Sequence, residues 1–141
     1  MRTKSARIAA LSLVAASVPA DARAPPMIIF ESGSARLTSQ AELILDDAVR
    51  EMRLIGVRSL IIVGGADRQG SAQHNLILSA RRGEAVRAAL IARGIDPQVI
   101  AGIRADGESH PLVPTADGVA ERGNRFAYLI YVNIGEADQI R

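Results

Sequence analysis

Apolar positions along this chain fall into short extended runs separated by two long helical stripes. Met27 to Phe30 predicts a short strand, closed by the loop Glu31-Ser32-Gly33-Ser34. Thr38 or Ser39 then caps a helix that runs to about Leu54, with Glu42 in its first turn. Leu43, Ile44, Ala48 and Met52 recur at helical spacing and form its predicted apolar stripe, and Gly56 ends it. Val57 to Val63 is nearly continuous in apolar residues, the pattern of a central strand covered on at least one face. Gly70 or Ser71 starts a second helix that reaches Ala92, where Gly94 supplies a left-handed stop. Pro97 opens a third extended segment, Val99 to Ala105, which Gly107-Glu108-Ser109-His110-Pro111 breaks. A polar excursion through Pro114, Asp117 and Gly118 leads to the last strand, Phe126 to Val132, whose alternation is weak. Residues 135–141 read as a frayed tail. The order β-α-β-α-β-β predicts an α+β fold, a mixed parallel and antiparallel sheet with both helices packed on one face.

The first 26 residues stand apart from this pattern. Arg2, Lys4 and Arg7 precede an apolar centre, Ile8 to Ala16, and Val18-Pro19-Ala20 offers small residues for cleavage, so residues 1–20 read as a signal peptide. The apolar run is about a dozen residues, short of the ~20 that a spanning helix needs. Residues 21–26, with Ala24-Pro25-Pro26, form an extended linker, and the domain is expected over 27–134. The leader also changes the charge. The whole chain carries 17 basic and 15 acidic residues, and the leader holds three of the former and none of the latter, which leaves a net charge of −1 after cleavage. A sequence pI of 9.7 therefore does not signal nucleic acid. With no cysteine, the chain has neither disulfides nor a site for lipid attachment at the signal junction. The expected location is the periplasm, without a transmembrane segment after cleavage.

The chemistry concentrates where the second strand meets the second helix, at Gly64-Gly65-Ala66-Asp67-Arg68-Gln69-Gly70-Ser71, followed by Asn75 and Leu78-Ser79-Ala80-Arg81-Arg82. Setting Leu78 at zero and advancing about 100° per residue puts Ala85 at about −20°, Ala89 at about 20°, Arg82 at about 40° and Asn75 at about 60°. Arg81 falls on the flank at about −60°. Arg82 is thus a charge placed where periodicity asks for a core residue, and a buried charge needs a partner. Asp67 is the nearest by chain order. The two could form an internal ion pair tying loop to helix, or flank a cavity in which Asp67 takes an ammonium and Arg82 a carboxylate.

These residues resemble the OmpA-like peptidoglycan-binding domain family. Its pattern is an apolar strand, Gly-His/Tyr-Thr-Asp, a Gly-Ser turn, then Asn and Leu-Ser-x-x-Arg-Ala. Here the matching residues are Gly64-Gly65-Ala66-Asp67, Gly70-Ser71, Asn75 and Leu78-Ser79-Ala80-Arg81-Arg82-Gly83. Phe30 with Gly33-Ser34-Ala35 and Leu37, then Gly94-Ile95, Gly107-Glu108-Ser109 with Pro111, and Asn124-Arg125 extend the resemblance over residues 28–132. It implies non-covalent, non-catalytic binding of the diaminopimelate residue in the peptidoglycan stem peptide, at the outer membrane or cell wall. Asp67 would receive the amino group and Arg82 the carboxylate, with Asn75 orienting the ligand and Arg125 and the Ser32–Ser34 loop bordering the pocket. The chain departs from the pattern at Gly65 and Ala66, which replace a ring and a hydroxyl, at Gly83 in place of alanine, and at Phe126, where the family often has a second arginine.

Other chemistries fit less well. Gly65-x₄-Gly70 imitates a phosphate loop, but the lysine is absent and Asp67 would repel phosphate. His74 and His110 are the only histidines, too few for a metal centre, and no serine stands in a histidine–acid context. Asp46-Asp47 with Arg50 and Arg53 reads as a solvated helix face. No cofactor is implied. The expected partners are the stem peptide and, for a binder that has no anchor of its own, an anchored envelope protein. The competing reading is a protein-interaction module that kept the fold, lost the ligand and uses Asp67–Arg82 as a structural ion pair.

Overall fold

A computed structural model describes residues 24–134, so the leader and the tail lie outside the described residues. Six main elements follow in the expected order: β1 (Met27–Ile29), α1 (Ser39–Ile55), β2 (Val57–Gly64), α2 (Ala72–Ala92), β3 (Ile100–Ala105) and β4 (Phe126–Ile134). The third extended segment begins later than expected, because Pro97–Val99 forms a 3₁₀ turn capped by the Asp96 side chain. The last strand runs two residues further than expected, and its added residues pair with Val57 and Ser59 of β2.

Both helices start and stop on the residues the chain supplies for it. The Thr38 hydroxyl accepts from Ala41 N and the Ser71 hydroxyl from His74 N. Gly56, at φ +69°, closes α1 with its N–H on Met52 O. The buried stripe of α1 differs from the expected one. Ala41, Leu45, Ala48, Val49 and Met52 face the core, Ile44 packs at its edge, and Leu43 is 65% exposed. Leu43-Ile44-Leu45 is a run of three apolar residues, so periodicity alone leaves the register open by one position. The choice falls to Leu45 because it lines up with Ala41, Ala48, Val49 and Met52.

The sheet order is β1-β4-β2-β3. β4 is antiparallel to both β1 and β2, and β2 is parallel to β3 across the α2 crossover. The core lies between one sheet face and the two helices: Ile28, Leu60, Ile62, Ala127 and Leu129 meet Leu45, Met52, Val86 and Leu90 in a single cluster. Each of these side chains except the small Ala127 contributes roughly 1.5–3 kcal/mol by leaving water. α2 seats on β2 at backbone contact distance, since a Cβ on Gly64 would stand 2.0 Å from the Ser79 carbonyl oxygen. That approach fixes Arg82, three residues further along α2, relative to the end of β2.

The topology brings four loops to one end of the sheet. β1, β2 and β3 all finish there and β4 starts there, so residues 30–34, 65–71, 106–108 and 121–125 are neighbours in space. The ladder continues past the strand ends through Phe30 N to Arg125 O (2.8 Å), Gly65 N to Phe126 O (2.9 Å), Asp106 N to Gly64 O (2.9 Å) and Ala66 N to Gly107 O (2.8 Å).

Candidate functional site

Arg82 points inward, as its helical angle requires, and is fully buried, while Arg81 is exposed. Its guanidinium donates to three backbone carbonyls, Nε to Ser34 O (2.9 Å), Nη1 to Gly65 O (2.9 Å) and Nη2 to Glu31 O (3.1 Å). Its Cζ also stands 5.3 Å from the centroid of the Phe30 ring. Burial lowers its pKa from 12.5 to about 10, against the pull of the Asp67 charge and with a further push from Arg125. The group stays a cation at neutral pH. Three of its five N–H donors are used, all on neutral acceptors.

Asp67 is also buried. Its ion pair is with Arg125, not with Arg82. Oδ2 accepts from Arg125 Nη1 (3.3 Å) and from Glu121 N (3.2 Å), while Oδ1 has only Gln69 N at 3.5 Å. The Asp67–Arg82 ion pair of the competing reading is therefore corrected: the strand order places β4 beside β2, and the guanidinium just before β4 pairs with the carboxylate instead. Arg125 sends its Nε to Phe30 O (2.9 Å) as well. The two arginines between them hold the main chain of residues 30–34, and the Ser32 hydroxyl closes the same loop against Gln69 (3.1 Å). The loop expected to border the pocket thus covers Arg82.

Asn75 is buried and spends its amide on Glu108, Nδ2 to Oε2 at 2.7 Å. Beside it, Ser79 accepts from Gly107 N (2.9 Å) and donates to Leu76 O (2.8 Å). Asn75 and Ser79 thereby fasten the loop after β3 onto α2. The structure brings Asp67 and Arg125 into contact, sets Arg82 near enough to feel both charges, and ties Asn75 to the loop after β3.

Sequence reasoning missed several members. Glu108 follows Gly107 in a pattern already noted, and its acidic side chain was the available signal. The Glu31, Ser34 and Gly65 carbonyls leave no side-chain signature at all. Asn124 is fully buried and clamps the polar excursion through both main-chain groups of Val113, at 2.8 and 2.7 Å. Arg68 holds the same excursion through Thr115 O (3.1 Å) and Asp117 (3.1 Å).

Ser109, His110 and Asp106 also meet, but not as a proton relay. The Ser109 hydroxyl (2.9 Å) and the Asp106 carboxylate (3.9 Å) both approach Nδ1 of the exposed His110, and a relay needs them on opposite ring nitrogens. Asp106 is committed to Arg104 by a two-pronged ion pair.

The OmpA family profile matches residues 29–125. The chain belongs to the OmpA family. It is 34% identical over 71 residues to an outer membrane protein A of Bordetella avium, covering 50% of this chain and 37% of that protein. It is 30% identical over 95 residues to a peptidoglycan-associated lipoprotein of Haemophilus influenzae, covering 67% of this chain and 61% of that one. Among solved structures, the peptidoglycan-associated lipoprotein of Burkholderia pseudomallei superposes with a TM-score of 0.67 at 26% identity, over 75% of this chain and 89% of that one. This OmpA-family chain spans about a third of the length of the outer membrane proteins it matches. These relatives are outer-membrane and peptidoglycan-associated proteins. No helix among the described residues is long and apolar enough to cross a membrane.

Proposed function

We propose that this chain binds peptidoglycan without catalysis, in the periplasm, through the diaminopimelate residue of the stem peptide. One observation carries the reading: a fully buried guanidinium whose three hydrogen-bond acceptors are all neutral carbonyls. A buried cation is costly unless an anion compensates it, and Asp67, the nearest negative group it feels, is already paired with Arg125. A ligand carboxylate on the two unused N–H groups of Arg82 would supply the missing charge. Asp67 Oδ1, with one contact at the limit of hydrogen bonding, has capacity for the ligand's ammonium. The H. influenzae and B. pseudomallei relatives, both peptidoglycan-associated lipoproteins, support the same ligand class.

Because Arg82 has no exposed surface, binding requires the Glu31–Ser34 segment to yield at least one carbonyl. In the test, purified protein is co-sedimented with sacculi containing diaminopimelate and with sacculi containing lysine in its place. The wild type is expected to pellet with the first only, and the Asp67→Ala/Arg82→Ala variant with neither. Equal sedimentation of wild type and variant refutes the reading.

The rival reading, a protein-interaction module that has lost its ligand, draws on one observation too. Arg82 and Asp67 already have internal partners, the carbonyls and Arg125. Titration with free diaminopimelate separates the two, since shifts at Asp67 and Arg82 amides are expected for the binder and none for the module.

A further inference from the structure

Gly65 sits one residue past the end of β2, where Gly64 pairs with Ala127, so it lies opposite Phe126. A Cβ on Gly65 would fall 2.3 to 2.7 Å from three atoms at the far end of the Phe126 ring. The ring therefore occupies the space that a side chain at position 65 would fill. Phe126 is 1% exposed, yet it lies outside the core cluster between sheet and helices. Its side chain projects from the opposite face of the sheet, beside Tyr128 at 5.3 Å between ring centroids. This is a local packing unit at the site end of the sheet.

The main chain beside the ring takes part in the hydrogen bonds of the site. Gly65 donates its N–H to Phe126 O and accepts Arg82 Nη1 on its carbonyl. Asp67 follows two residues later. Arg125, bonded to Phe126 in the chain, holds Asp67 on one side and Phe30 O on the other. A glycine at a strand end has the widest choice of backbone angles of any residue, and a ring seated on its Cα removes that choice. An aromatic ring covering a cross-strand glycine is a known way of stabilising a sheet.

We propose that Phe126 is the positioning residue of this site: its ring stands in for the side chain Gly65 lacks and fixes the Gly65 carbonyl, and through it Arg82, relative to Asp67. The family pattern, with a ring at 65 and often arginine at 126, becomes here an exchange of the ring between neighbouring strands that conserves the filled space. The affinity arm of the test rests on the diaminopimelate reading, and the exchange arm does not.

The experiment compares wild type, Phe126→Ala, Phe126→Leu and Gly65→Tyr/Phe126→Ala, each confirmed folded by circular dichroism well below its melting temperature. Two quantities are read, the affinity for free diaminopimelate by calorimetry and the solvent exchange of the Arg82 Nη1 hydrogens, which donate to the Gly65 carbonyl, by low-temperature NMR. Phe126→Ala is expected to weaken binding roughly tenfold and to speed exchange by a similar factor, as expected when one ordered hydrogen bond is loosened. Gly65→Tyr/Phe126→Ala, which returns the ring to the other strand, is expected to restore both. A purely structural Phe126 would lower the melting temperature and leave Arg82 exchange in the folded protein unchanged, and that result overturns the proposal. Failure of the double variant to restore slow exchange overturns it as well. If Phe126→Ala does not fold, Phe126→Leu takes its place with the same two readouts. If the wild type binds no diaminopimelate, the ligand reading fails and the exchange arm still decides the role of Phe126.

Discussion

Replacing Gly33 by alanine separates a loop that closes the site from one that is built for the ligand. Gly33 has φ +64°, and a Cβ there would meet nothing within 4 Å, so the substitution changes only the backbone energy of the closed loop. Alanine in the left-handed region costs about 1 kcal/mol. That amount is the expected loss of stability, read by urea denaturation. The closed loop is held by Arg82 through Ser34 O and Glu31 O. Hydrogen bonds to a charged donor contribute about 1.5–3 kcal/mol each. Yielding one or both leaves the open, binding-competent form a small fraction of the population, so the apparent affinity of the wild type is reduced by that fraction. Strain of about 1 kcal/mol in the closed form alone raises the fraction about fivefold. Gly33→Ala is therefore expected to be less stable and to bind free diaminopimelate more tightly, by up to about fivefold in a calorimetric titration. Weaker or unchanged binding would mean that the closed loop is already the binding form, and the reasoning from Arg82 burial would fall.

Gly64→Ala is expected to cost 4 kcal/mol or more, or to prevent folding, because its Cβ meets the Ser79 carbonyl of the α2 backbone at 2.0 Å; losses of about that size accompany backbone clashes in a core. Gly83→Ala meets the Ile103 side chain and no backbone, with Cγ2 nearest at 2.5 Å, so about 1 kcal/mol of helix propensity offsets an overpacking cost of about 1–3 kcal/mol. Its net change, in the same urea assay, should be within about 2 kcal/mol, and an equal loss for both glycines would refute the distinction. Tyr131 has its pKa pushed up from 10 to about 12, by burial first and the Glu51 charge second, and its buried hydroxyl has no hydrogen-bond partner among the described residues. Both states are protonated below pH 10, and above it the unfolded state ionises first, so stability should fall by about 1.4 kcal/mol per unit between pH 10 and 12. Tyr131→Phe should lack that decline in pH-dependent melts and be no less stable at pH 7, whereas a matching decline would refute the assignment. Arg93 joins Glu42 and Asp46 of α1 to the end of α2 and is largely shielded, so Arg93→Ala is expected to cost about 1–2 kcal/mol, with part of the loss disappearing in 1 M salt. A loss unchanged by salt would assign the effect to packing.

The helix ends were legible because their causes are local. Thr38, Ser71 and Gly56 act on groups within four residues of themselves. Arg82 was legible for a similar reason, since the choice between it and Arg81 needs only the helical period. Where the period met a run of three apolar residues, it picked Leu43 where the core takes Leu45. The partner of Asp67 was not legible. Arg125 lies 58 residues away and reaches the carboxylate only because β4 inserts between β1 and β2. The acceptors of Arg82 were hidden more deeply, because a main-chain carbonyl looks the same at every position. The exchange between Gly65 and Phe126 needs the strand register before the two departures from the family pattern can be seen as one.

The cross-strand exchange changes what the two departures do to the site. Taken singly, Gly65 removes a wall and Phe126 removes a cation, and each weakens the site. Taken together, the missing wall is refilled from the next strand, and Asp67 has Arg125 as its only ion-pair partner among the described residues. At 3.3 Å that pair is longer than the 2.7–2.9 Å of a strong charge-assisted bond, so the carboxylate is held in place without being saturated. A second arginine at 126 would bring another positive charge to the same end of the sheet and oppose an incoming ammonium. On the proposed diaminopimelate reading, the exchange keeps the geometry that aims Arg82 and leaves Asp67 charge to offer, the combination a zwitterionic ligand would require.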